Sequence, residues 1–401
     1  MRVLVADKFE EVGLEGLRSL GCEVYYEPKL EGESLGWRLR DSGADVLVVR
    51  STKVTAAEMD QGKSLSLVIR AGAGVNTIDV DAASARAISV SNCPGKNAVA
   101  VAELAWGLIL ALDRRIADQT ADLRAGVWNK TEYGRARGLA GRALGVAGFG
   151  AIGREVAGRG LAFGMRVVAW SPSLTAERAA GAGVERAASL VELASRSDVV
   201  SVHLALTKET RGLLGAAFFD AMRPGALFVN TSRGETVSSA ALRAAIETKG
   251  IRAGLDVFDR EPSGGTGAFE DEVGRLPAVV GTHHVGASTE QAQNAIAAEV
   301  VRIVAAFKSA GDVPNAVNLC ERSPARWLMT VRHRDRVGVL AHVFGALREA
   351  GINVQKTENV VFDGAEAASA RIQLDTEPAR SLLGRIAEGC RDILSITLNP
   401  L

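Results

Sequence analysis

The 401-residue sequence has few of the residues that build disulfide frameworks or metal sites. Its four cysteines, Cys22, Cys93, Cys320 and Cys390, are far apart, and none belongs to a CxxC motif or a Cys/His pair with metal-ligand spacing. This distribution predicts reduced thiols in a cytoplasmic protein and no bound metal ion.

The sequence also lacks an excess of either charge, because Lys and Arg together number 47 and Asp and Glu together number 47. A chain without net charge has no electrostatic footprint for nucleic acid or for an anionic membrane surface. The longest apolar run, from Ala98 to Leu112, contains Glu103 and is too short to span a bilayer. The sequence starts without an apolar signal-peptide segment. We therefore expect a cytoplasmic protein that binds neither nucleic acid nor membrane.

Apolar residues make up 47% of the chain and charged residues 23%, which is typical of a globular protein. Through residue 285, short apolar strands alternate with amphipathic segments. This rhythm predicts an α/β fold with two doubly wound parallel sheets of the Rossmann or flavodoxin type. From Arg326 onward the order is strand, helix, strand, strand, helix, strand, which predicts an additional small ferredoxin-like βαββαβ domain.

The segment "VAGFGAIG" contains a G-x-G-x-x-G motif, with glycines at Gly148, Gly150 and Gly153 and with Ala151 and Ile152 between the last two. It follows a buried strand pattern and opens a helical one, which is the context in which this motif binds a dinucleotide. The first glycine permits a tight turn, the second lets the backbone approach a pyrophosphate, and the third lets the helix pack closely on the strand. The motif therefore predicts a dinucleotide site.

Ser171 stands where an acidic residue normally binds the adenosine ribose hydroxyls, and the nearest carboxylate in sequence is Glu177. A neutral residue leaves room for a 2'-phosphate, for which Arg178 is the nearest cation in sequence. We expect NAD as the cofactor, with NADP left open.

Three later motifs each follow a predicted strand of the second sheet, where parallel sheets bind ligands. Arg233 lies in "NTSRG", Asp256 and Glu261 lie in "LDVFDREP", and His284 lies in "GTHHVGAST". A guanidinium binds a carboxylate through two hydrogen bonds, an imidazole passes a proton to or from a carbinol oxygen, and a carboxylate orients the imidazole. The combination indicates the chemistry of 2-oxo acids.

Together with "GFGAIG", these motifs resemble in order and spacing those of the D-isomer-specific 2-hydroxyacid dehydrogenases. Within that family, "VVRSTKVT", "IRAGAGVNTIDVDAA", "NAVAVAEL" and a C-terminal domain that resembles an ACT regulatory domain are most similar to the phosphoglycerate dehydrogenases. The resemblance implies an oxidoreductase that transfers a hydride between a nicotinamide cofactor and a D-2-hydroxy acid. The implied reaction converts D-3-phosphoglycerate to 3-phosphohydroxypyruvate, the first step of serine biosynthesis.

The resemblance also implies roles for individual residues. Arg233 anchors the substrate, Glu261 supports the histidine and His284 is the acid/base, while His283 replaces a proline that is usual in the family. The implied cofactor-binding residues are Gly148, Gly150, Ala151, Ile152, Gly153, Ser171, Thr231, Asp256 and Gly286. The implied substrate-binding residues are Arg50, Ser51, Ala73, Gly74, Asn97 and Gln293, with Lys53 and Arg70 as further cations for a phosphate.

Three domains are expected. Residues 1–92 with 286–318 form a discontinuous substrate-binding domain, residues 93–285 form a dinucleotide-binding Rossmann domain, and residues 319–401 form the ACT-like domain. His333, Asp335 and Asn353 stand where serine-inhibited relatives place their effector ligands. An effector such as L-serine and a dimerising domain without a ligand are both open.

The family implies a homodimer or homotetramer. The long helix "NAVAVAELAWGLILALDRR" is apolar around nearly its whole circumference, so it needs burial on more than one side. We expect the dimer to use this helix.

Two other functions are left open. A glyoxylate or hydroxypyruvate reductase would fit the neutral Ser171 if the cofactor is NADPH. A dinucleotide-sensing binding protein without enzymatic activity would lack a catalytic residue, whereas Arg233, Glu261 and His284 are all present.

Overall fold

A computed structural model describes residues 1–262, 266–320 and 323–401 of the chain. These residues form two compact units, Met1–Asn318 and Leu319–Leu401. Two parallel sheets lie in the first unit and an antiparallel sheet lies in the second. The predicted α/β class, with two doubly wound sheets and a small βαββαβ domain, is confirmed.

The first sheet has five parallel strands in the order β2-β1-β3-β4-β5. The strands are β1 Arg2–Val5, β2 Glu23–Tyr26, β3 Val46–Val49, β4 Leu67–Arg70 and β5 Ser89–Asn92. The connecting helices are α1 Glu11–Ser19, α2 Gly32–Ser42, α3 Ala56–Gln61 and α4 Val80–Ala85. Val3 and Val5 share a core with α1, whereas Leu4 points into the opposite core with α2. Burial on both faces explains why β3 is the continuous apolar run "VLVV".

The second sheet has seven parallel strands in the order β12-β11-β10-β9-β6-β7-β8. Before it lie α5 Ala98–Arg114, α6 Ile116–Arg124 and α7 Lys130–Tyr133. The strands are β6 Ala143–Ala147, β7 Arg166–Trp170, β8 Glu185–Arg186, β9 Val199–Val202, β10 Leu227–Asn230, β11 Arg252–Leu255 and β12 Val279–Gly281. The helices are α8 Ala151–Ala162, α9 Ala176–Gly181, α10 Leu190–Arg196, α11 Ala216–Ala221 and α12 Ser239–Lys249, with a 3-10 turn at Gly234–Thr236. The strand order reverses between β6 and β9, which opens a crevice of the kind where dinucleotides bind.

Helix α13, Glu290–Ala310, brings the chain back to the first sheet. It packs along α1, and its residues Ile296, Val300 and Ile303 share a buried core with Val3. The chain therefore leaves the first sheet after β5 and returns to it after building the second sheet. The boundary between a substrate-binding and a cofactor-binding domain stays a prediction, because both parts belong to one compact unit.

The second unit contains β13 Trp327–Arg334, α14 Val339–Glu349, β14 Val354–Val361, β15 Ala367–Leu374, α15 Arg380–Glu388 and β16 Ile393–Pro400. Its antiparallel strands follow the order β14-β15-β13-β16. Met329 and Val331 of β13 share a core with Val343 of α14 and Ile386 of α15, so both helices cover the same face. This is the predicted ferredoxin-like arrangement.

Helix α5 is the long apolar helix that the sequence predicted to need a second chain. It packs against α8, β10 and β11, and the residues buried there include Ala105, Leu108 and Ile109. Val99 is its exposed large apolar side chain. The chain itself thus covers most of the apolar surface of α5, and a dimer at this helix stays a prediction. In the part of the chain that the structure describes, no helix is long and apolar enough to cross a lipid bilayer.

Candidate active site

The charged residues predicted for the site lie after strands of both parallel sheets. Arg50 follows β3 of the first sheet, while Arg233 follows β10 and His284 follows β12 of the second. Two contacts join these edges: Arg50 Nη2 lies 3.5 Å from Ser288 Oγ, and Arg233 Nη2 lies 3.4 Å from Asn76 Oδ1. Since ligands of parallel sheets bind at this edge, the two sets of loops form one candidate site.

His284 is paired with Glu261. His284 Nδ1 lies 2.6 Å from Glu261 Oε2, and Glu261 Oε1 accepts a hydrogen bond from the Phe258 N–H at 2.9 Å. Burial would raise the pKa of Glu261, but the hydrogen bonds from His284 and Phe258 and the charge of Arg233 outweigh it and hold that pKa below its usual value. Glu261 is therefore ionised and orients the imidazole, which leaves His284 Nε2 to face a substrate.

The loop that carries His284 is held by the buried carboxylate of Asp256. Asp256 Oδ1 accepts hydrogen bonds from Thr282 Oγ1 at 2.6 Å and the Val285 N–H at 2.9 Å, and Oδ2 accepts one from the Gly286 N–H at 2.9 Å. The His284 N–H donates to the Asp256 carbonyl oxygen at 2.8 Å. These bonds hold His284 at φ +52°, in the left-handed region that residues other than glycine rarely adopt. Such conformations persist only where the surroundings enforce them, and they cluster at functional sites.

Arg233 extends from a turn that Asn230 organises. Asn230 Oδ1 accepts hydrogen bonds from the N–H and the hydroxyl of Ser232, at 2.9 and 2.7 Å, and Asn230 Nδ2 donates to the Arg233 carbonyl at 2.9 Å. Arg233 Nη1 donates to the Ser232 carbonyl at 2.7 Å. Gly74 makes room for the guanidinium, because a Cβ at that position would lie 2.5 Å from Arg233 Nη2. The turn thus directs Arg233 against the loop after β4.

Arg50, Arg70 and Arg233 form an arginine cluster. Burial, followed by the charges of Arg233 and Arg50, lowers the pKa of Arg70 to about 10. That value is far above neutrality, so the Arg70 guanidinium remains charged. Its Nε atom is buried and has no hydrogen-bond partner among the described residues. Because a half-buried cation with a buried, unpaired N–H group is unfavourable, the cluster is suited to an anionic ligand.

Three predicted substrate residues keep polar groups available. Across the described ranges, the N–H groups of Ala73 and Gly74 donate no hydrogen bond, and the buried Oδ1 of Asn97 accepts none. The Ala73 carbonyl is held by Asn92 Nδ2 at 2.6 Å, which fixes the loop. Backbone N–H groups presented by a fixed loop bind carboxylate oxygens well.

Ser51 and Gln293 are placed differently, because their polar groups hold loops together. Ser51 gives its N–H and its hydroxyl to Asp7, at 3.0 and 3.1 Å. Gln293 Nε2 donates to the Ala287 carbonyl at 2.7 Å. Lys53 is exposed on the loop that contains Ser51. Direct contact of these three side chains with a substrate stays a prediction.

The glycine motif has the shape that a dinucleotide needs. Gly148 has φ +99°, and a Cβ there would overlap the His203 carbonyl. A Cβ at Gly153 would overlap the Gly148 carbonyl, so the helix packs closely on the strand as predicted. At Gly150, the N-cap of α8, a Cβ would meet nothing within 4 Å. Open space in front of the first turn, Ala151–Gly153, fits a pyrophosphate bound by helix N–H groups.

The other predicted cofactor residues are not equally available. Thr231 Oγ1 is buried without a hydrogen-bond partner in the described chain, so it can serve a ligand. Asp256 and Gly286 bind each other within the loop of His284. Their contact with the cofactor stays a prediction, whereas their contribution to the position of His284 is visible.

At the adenosine end, Ser171 follows β7 and Arg178 Nη1 donates to the Ser173 carbonyl at 3.4 Å. A backbone hydrogen bond within Glu177 itself, and one from the Thr175 side chain, hold the pKa of Glu177 below its usual value. The Glu177 carboxylate therefore accepts hydrogen bonds in the first turn of its own helix, α9.

The sequence did not predict an apolar cavity of about 480 Å³ beside the end of β7. Its lining includes Trp170, Leu190, Val191, Leu213 and Phe218. These residues come from separate segments, so no local pattern in the sequence indicates the cavity.

Within the second unit, His333, one of the predicted effector ligands, lies inside the fold. It is buried, its Nδ1 lies 2.8 Å from the Arg334 carbonyl oxygen, and its Nε2 lies 3.2 Å from Asn359 Oδ1. Both ring nitrogens thus have partners inside the unit, which leaves neither for an effector. Asp335 and Asn353 are exposed.

Three residues that organise the site were not predicted: Asp7, Asn230 and Thr282. Asp7 and Thr282 follow β1 and β12 within two residues, and Asn230 ends β10. A polar residue at the end of a parallel strand is the signal that would have found all three, since that is the edge where ligands bind.

Comparisons with known proteins agree with this geometry. A family model described as "D-isomer specific 2-hydroxyacid dehydrogenase, NAD binding domain" matches residues 106–286. The chain is 43% identical over 269 residues to a hydroxypyruvate reductase of Thermotoga maritima, in a match that covers 67% of this chain and 85% of that protein. The chain belongs to the D-isomer-specific 2-hydroxyacid dehydrogenase family.

Two further similarities extend over about four fifths of this chain. It is 38% identical over 324 residues to a D-3-phosphoglycerate dehydrogenase of Methanocaldococcus jannaschii, covering 80% of this chain and 60% of that protein. The chain thus spans about three fifths of the length of that curated relative. The crystal structure of the TT0316 protein of Thermus thermophilus superimposes with a TM-score of 0.70 at 35% identity, over 79% of this chain and 100% of that one.

Proposed function

We propose that this family member is a nicotinamide-dependent oxidoreductase that interconverts a 2-oxo acid and a D-2-hydroxy acid. The observation that carries the proposal is the 2.6 Å pairing of His284 with Glu261, on the same sheet edge as the Arg233 guanidinium. An imidazole oriented by a carboxylate is suited to acid–base catalysis, and a guanidinium is suited to a carboxylate. The glycine loop at Gly148 supports a dinucleotide at that edge.

In the proposed mechanism, the loop of Gly148 and Gly150 would hold a nicotinamide cofactor, which would supply or accept the hydride. Arg233 binds the substrate carboxylate and orients the neighbouring carbonyl. His284 Nε2 gives a proton to the carbonyl oxygen during reduction and takes one from the hydroxyl during oxidation. Glu261 keeps the imidazole oriented and offsets its positive charge, while Asp256 holds the loop in its left-handed turn.

We propose D-3-phosphoglycerate as the substrate, which is oxidised to 3-phosphohydroxypyruvate. The arginine cluster supplies more positive charge than one carboxylate requires, and a phosphate at neutral pH carries close to two negative charges. Exposed Lys53 adds a further cation on the loop of Arg50. The similarity to the dehydrogenase of M. jannaschii supports the same substrate.

Reduction of hydroxypyruvate or glyoxylate is the second candidate. The hydroxypyruvate reductase of T. maritima is matched over 85% of its length, more than the 60% of the phosphoglycerate dehydrogenase. A substrate without a phosphate would need Arg233 and the free N–H groups of Ala73 and Gly74, but it would leave Arg70 without a partner.

We propose NAD as the cofactor, with its adenine in the apolar cavity beside Trp170. Arg178, the cation that would bind a 2'-phosphate, is directed to the Ser173 carbonyl. The neutral Ser171 keeps NADP as the alternative. Planar apolar rings gain most from a cavity lined by aromatic and aliphatic side chains.

We propose a cytoplasmic homodimer, with a homotetramer as the alternative. A second copy would cover an apolar patch on and after α6, where Ile116, Leu123, Val127 and Trp128 are exposed. The buried thiols of Cys22 and Cys93 support a reducing compartment. An amino-acid effector of the second unit would have to use Asp335 and Asn353 without His333.

A matrix of initial rates tests the proposed function. NADH and NADPH are each combined with 3-phosphohydroxypyruvate, hydroxypyruvate, glyoxylate and 2-oxoglutarate. We expect turnover with NADH, with kcat/KM at least about tenfold higher for the phosphorylated substrate, because a buried ion contact is worth 1.4 kcal/mol or more. Efficient reduction of hydroxypyruvate or glyoxylate without turnover of the phosphorylated compound would replace the first candidate with the second.

A further inference from the structure

Asp7 lies directly behind the loop that carries Arg50. Its Oδ2 accepts hydrogen bonds from the N–H groups of Arg50, Ser51 and Thr52, at 2.6, 3.0 and 2.9 Å. Its Oδ1 accepts a bond from the Ser51 hydroxyl at 3.1 Å. One carboxylate thus holds three consecutive backbone donors and one side-chain donor.

This arrangement follows from the order of the first sheet. Asp7 comes two residues after β1, and Arg50 comes directly after β3, which is the neighbour of β1. Three N–H groups that point to one carboxylate leave the loop little freedom. The side chain of Arg50 extends from it to within 3.5 Å of Ser288 Oγ, in the segment that follows His284.

Asp7 holds the loop without neutralising the arginine cluster. Among the ion pairs of the described residues, none involves Asp7, Arg50 or Arg70. The negative charge is taken up by backbone donors, although it raises the pKa of Arg70 against the larger effects of burial, Arg233 and Arg50. The guanidinium groups of the cluster therefore remain available for an anion.

We propose that Asp7 is a positioning residue for the anion-binding part of the active site, and that it acts by holding the backbone from which Arg50 extends. The inference rests on the proposed function, because it assumes that Arg50 meets an anionic substrate. Asp7 itself touches neither the substrate nor the cofactor.

A double-mutant cycle of Asp7→Ala, Arg50→Ala and the combined variant tests this role through kcat/KM for 3-phosphohydroxypyruvate with NADH. We expect a loss of about 30-fold for Arg50→Ala and about tenfold for Asp7→Ala, but about 30-fold for the combined variant, because residues that act through one another are not additive. The KM for NADH stays within about twofold, since the cofactor loop is not involved. An additive loss of about 300-fold in the combined variant overturns the proposal.

Asp60→Ala is the matched control. Asp60 is an exposed carboxylate in the same part of the chain, where it pairs with Arg86 at 2.7 Å, so its removal changes the charge equally. We expect a change in kcat/KM of less than about twofold. Should Asp7→Ala fail to fold, Asp7→Asn keeps the size of the side chain and removes its charge, and it enters the same cycle.

A failure of the proposed function would be recognised separately. In that case the wild-type protein turns over none of the four oxo acids, and the cycle is measured as the Kd of oxalate in the presence of NADH. Non-additive changes in that Kd would support the role of Asp7 for anion binding, whereas equal Kd values in all four proteins would overturn it.

Discussion

The carboxyl edges of the two parallel sheets carry charge in different ways. At the second edge, His284 is paired with Glu261, and both carboxylate oxygens of Asp256 hold the histidine loop. At the first edge, Arg50 and Arg70 form no ion pair with any described residue, even though Asp7 is close to both. A paired and conformationally constrained edge suits proton transfer, whereas an edge with unpaired cations suits the binding of an anion.

The largest effect is expected at the second edge. His284→Ala should lower kcat about 100- to 10,000-fold, because acid–base catalysis contributes about 10²- to 10⁴-fold and this variant leaves no imidazole in place. Steady-state oxidation of NADH with 3-phosphohydroxypyruvate measures the loss.

His283→Ala is the control for that prediction. His283 is exposed and adjacent to His284, so the substitution changes the same loop without touching the Glu261 pair. We expect kcat within about threefold of the wild-type value, as for most exposed positions. Equal losses from the two variants would contradict the assignment of His284.

A smaller effect, of a different kind, is expected at the first edge. Arg70→Met removes the charge of a half-buried arginine of the cluster and keeps the apolar length of the side chain. The KM for 3-phosphohydroxypyruvate should rise about tenfold or more while kcat changes less than about threefold, because the lost contact is the same in the ground and transition states. Arg86→Met, at a half-buried Arg paired with Asp60, is the control and should leave both constants unchanged. A fall in kcat without a change in KM would show that the edges do not differ in function.

The smallest effect on activity is expected away from both edges, at Glu299. This buried carboxylate accepts hydrogen bonds from Arg302 at 2.6 and 3.1 Å and from Asn315 at 2.7 Å, and it lies 3.2 Å from Lys96 Nζ. The hydrogen bond from Arg302 lowers the pKa of Glu299 to about 2 against the effect of burial, with the help of Asn315 and Lys96. Unlike the charges of the arginine cluster, the charge of Glu299 is paired with Arg302 and Lys96 and needs no ligand.

Glu299→Gln should therefore affect stability and not catalysis. Since the folded-state pKa of about 2 lies below the usual 4.5, the ionised carboxylate stabilises the fold above pH 4.5, and this contribution is lost as the pH falls toward 2. The difference corresponds to at most about 3 kcal/mol in the free energy of unfolding at pH 7. Urea unfolding at pH 7, 5 and 4 should show the gap between variant and wild type narrowing with decreasing pH. A difference in unfolding free energy that grows as the pH falls would contradict the stabilising role of the ionised Glu299.

Much of the second edge could be predicted from the sequence. Arg233, Glu261 and His284 each lie in a short motif after a parallel strand, and parallel strands bring their carboxyl ends to one edge. Asp7 also follows a strand, so its place at the first edge could have been predicted, but its role could not, because its main partners are backbone N–H groups more than 40 residues away, which leave no pattern in the side chains. Local sequence motifs therefore predict the catalytic side chains more reliably than they predict the side chains that hold a loop in place.

The contacts that cover a residue were harder to predict from the sequence than its place in a helix or strand. The apolar residues of α5 indicated that the helix must be covered on several sides, but they could not tell that its own chain covers it. Similarly, the position of His333 matched that of an effector ligand, while its hydrogen bond to Asn359 on another strand depends on the register of the antiparallel sheet.

The division of work between the two edges is tested most directly by the equilibrium binding of D-3-phosphoglycerate to the NADH-loaded protein. If the first edge binds the anion and His284 mainly carries the proton, the Kd of His284→Ala rises less than about tenfold despite the loss of kcat, whereas the Kd of Arg70→Met rises more. The reverse order, with binding lost in His284→Ala and retained in Arg70→Met, would contradict it.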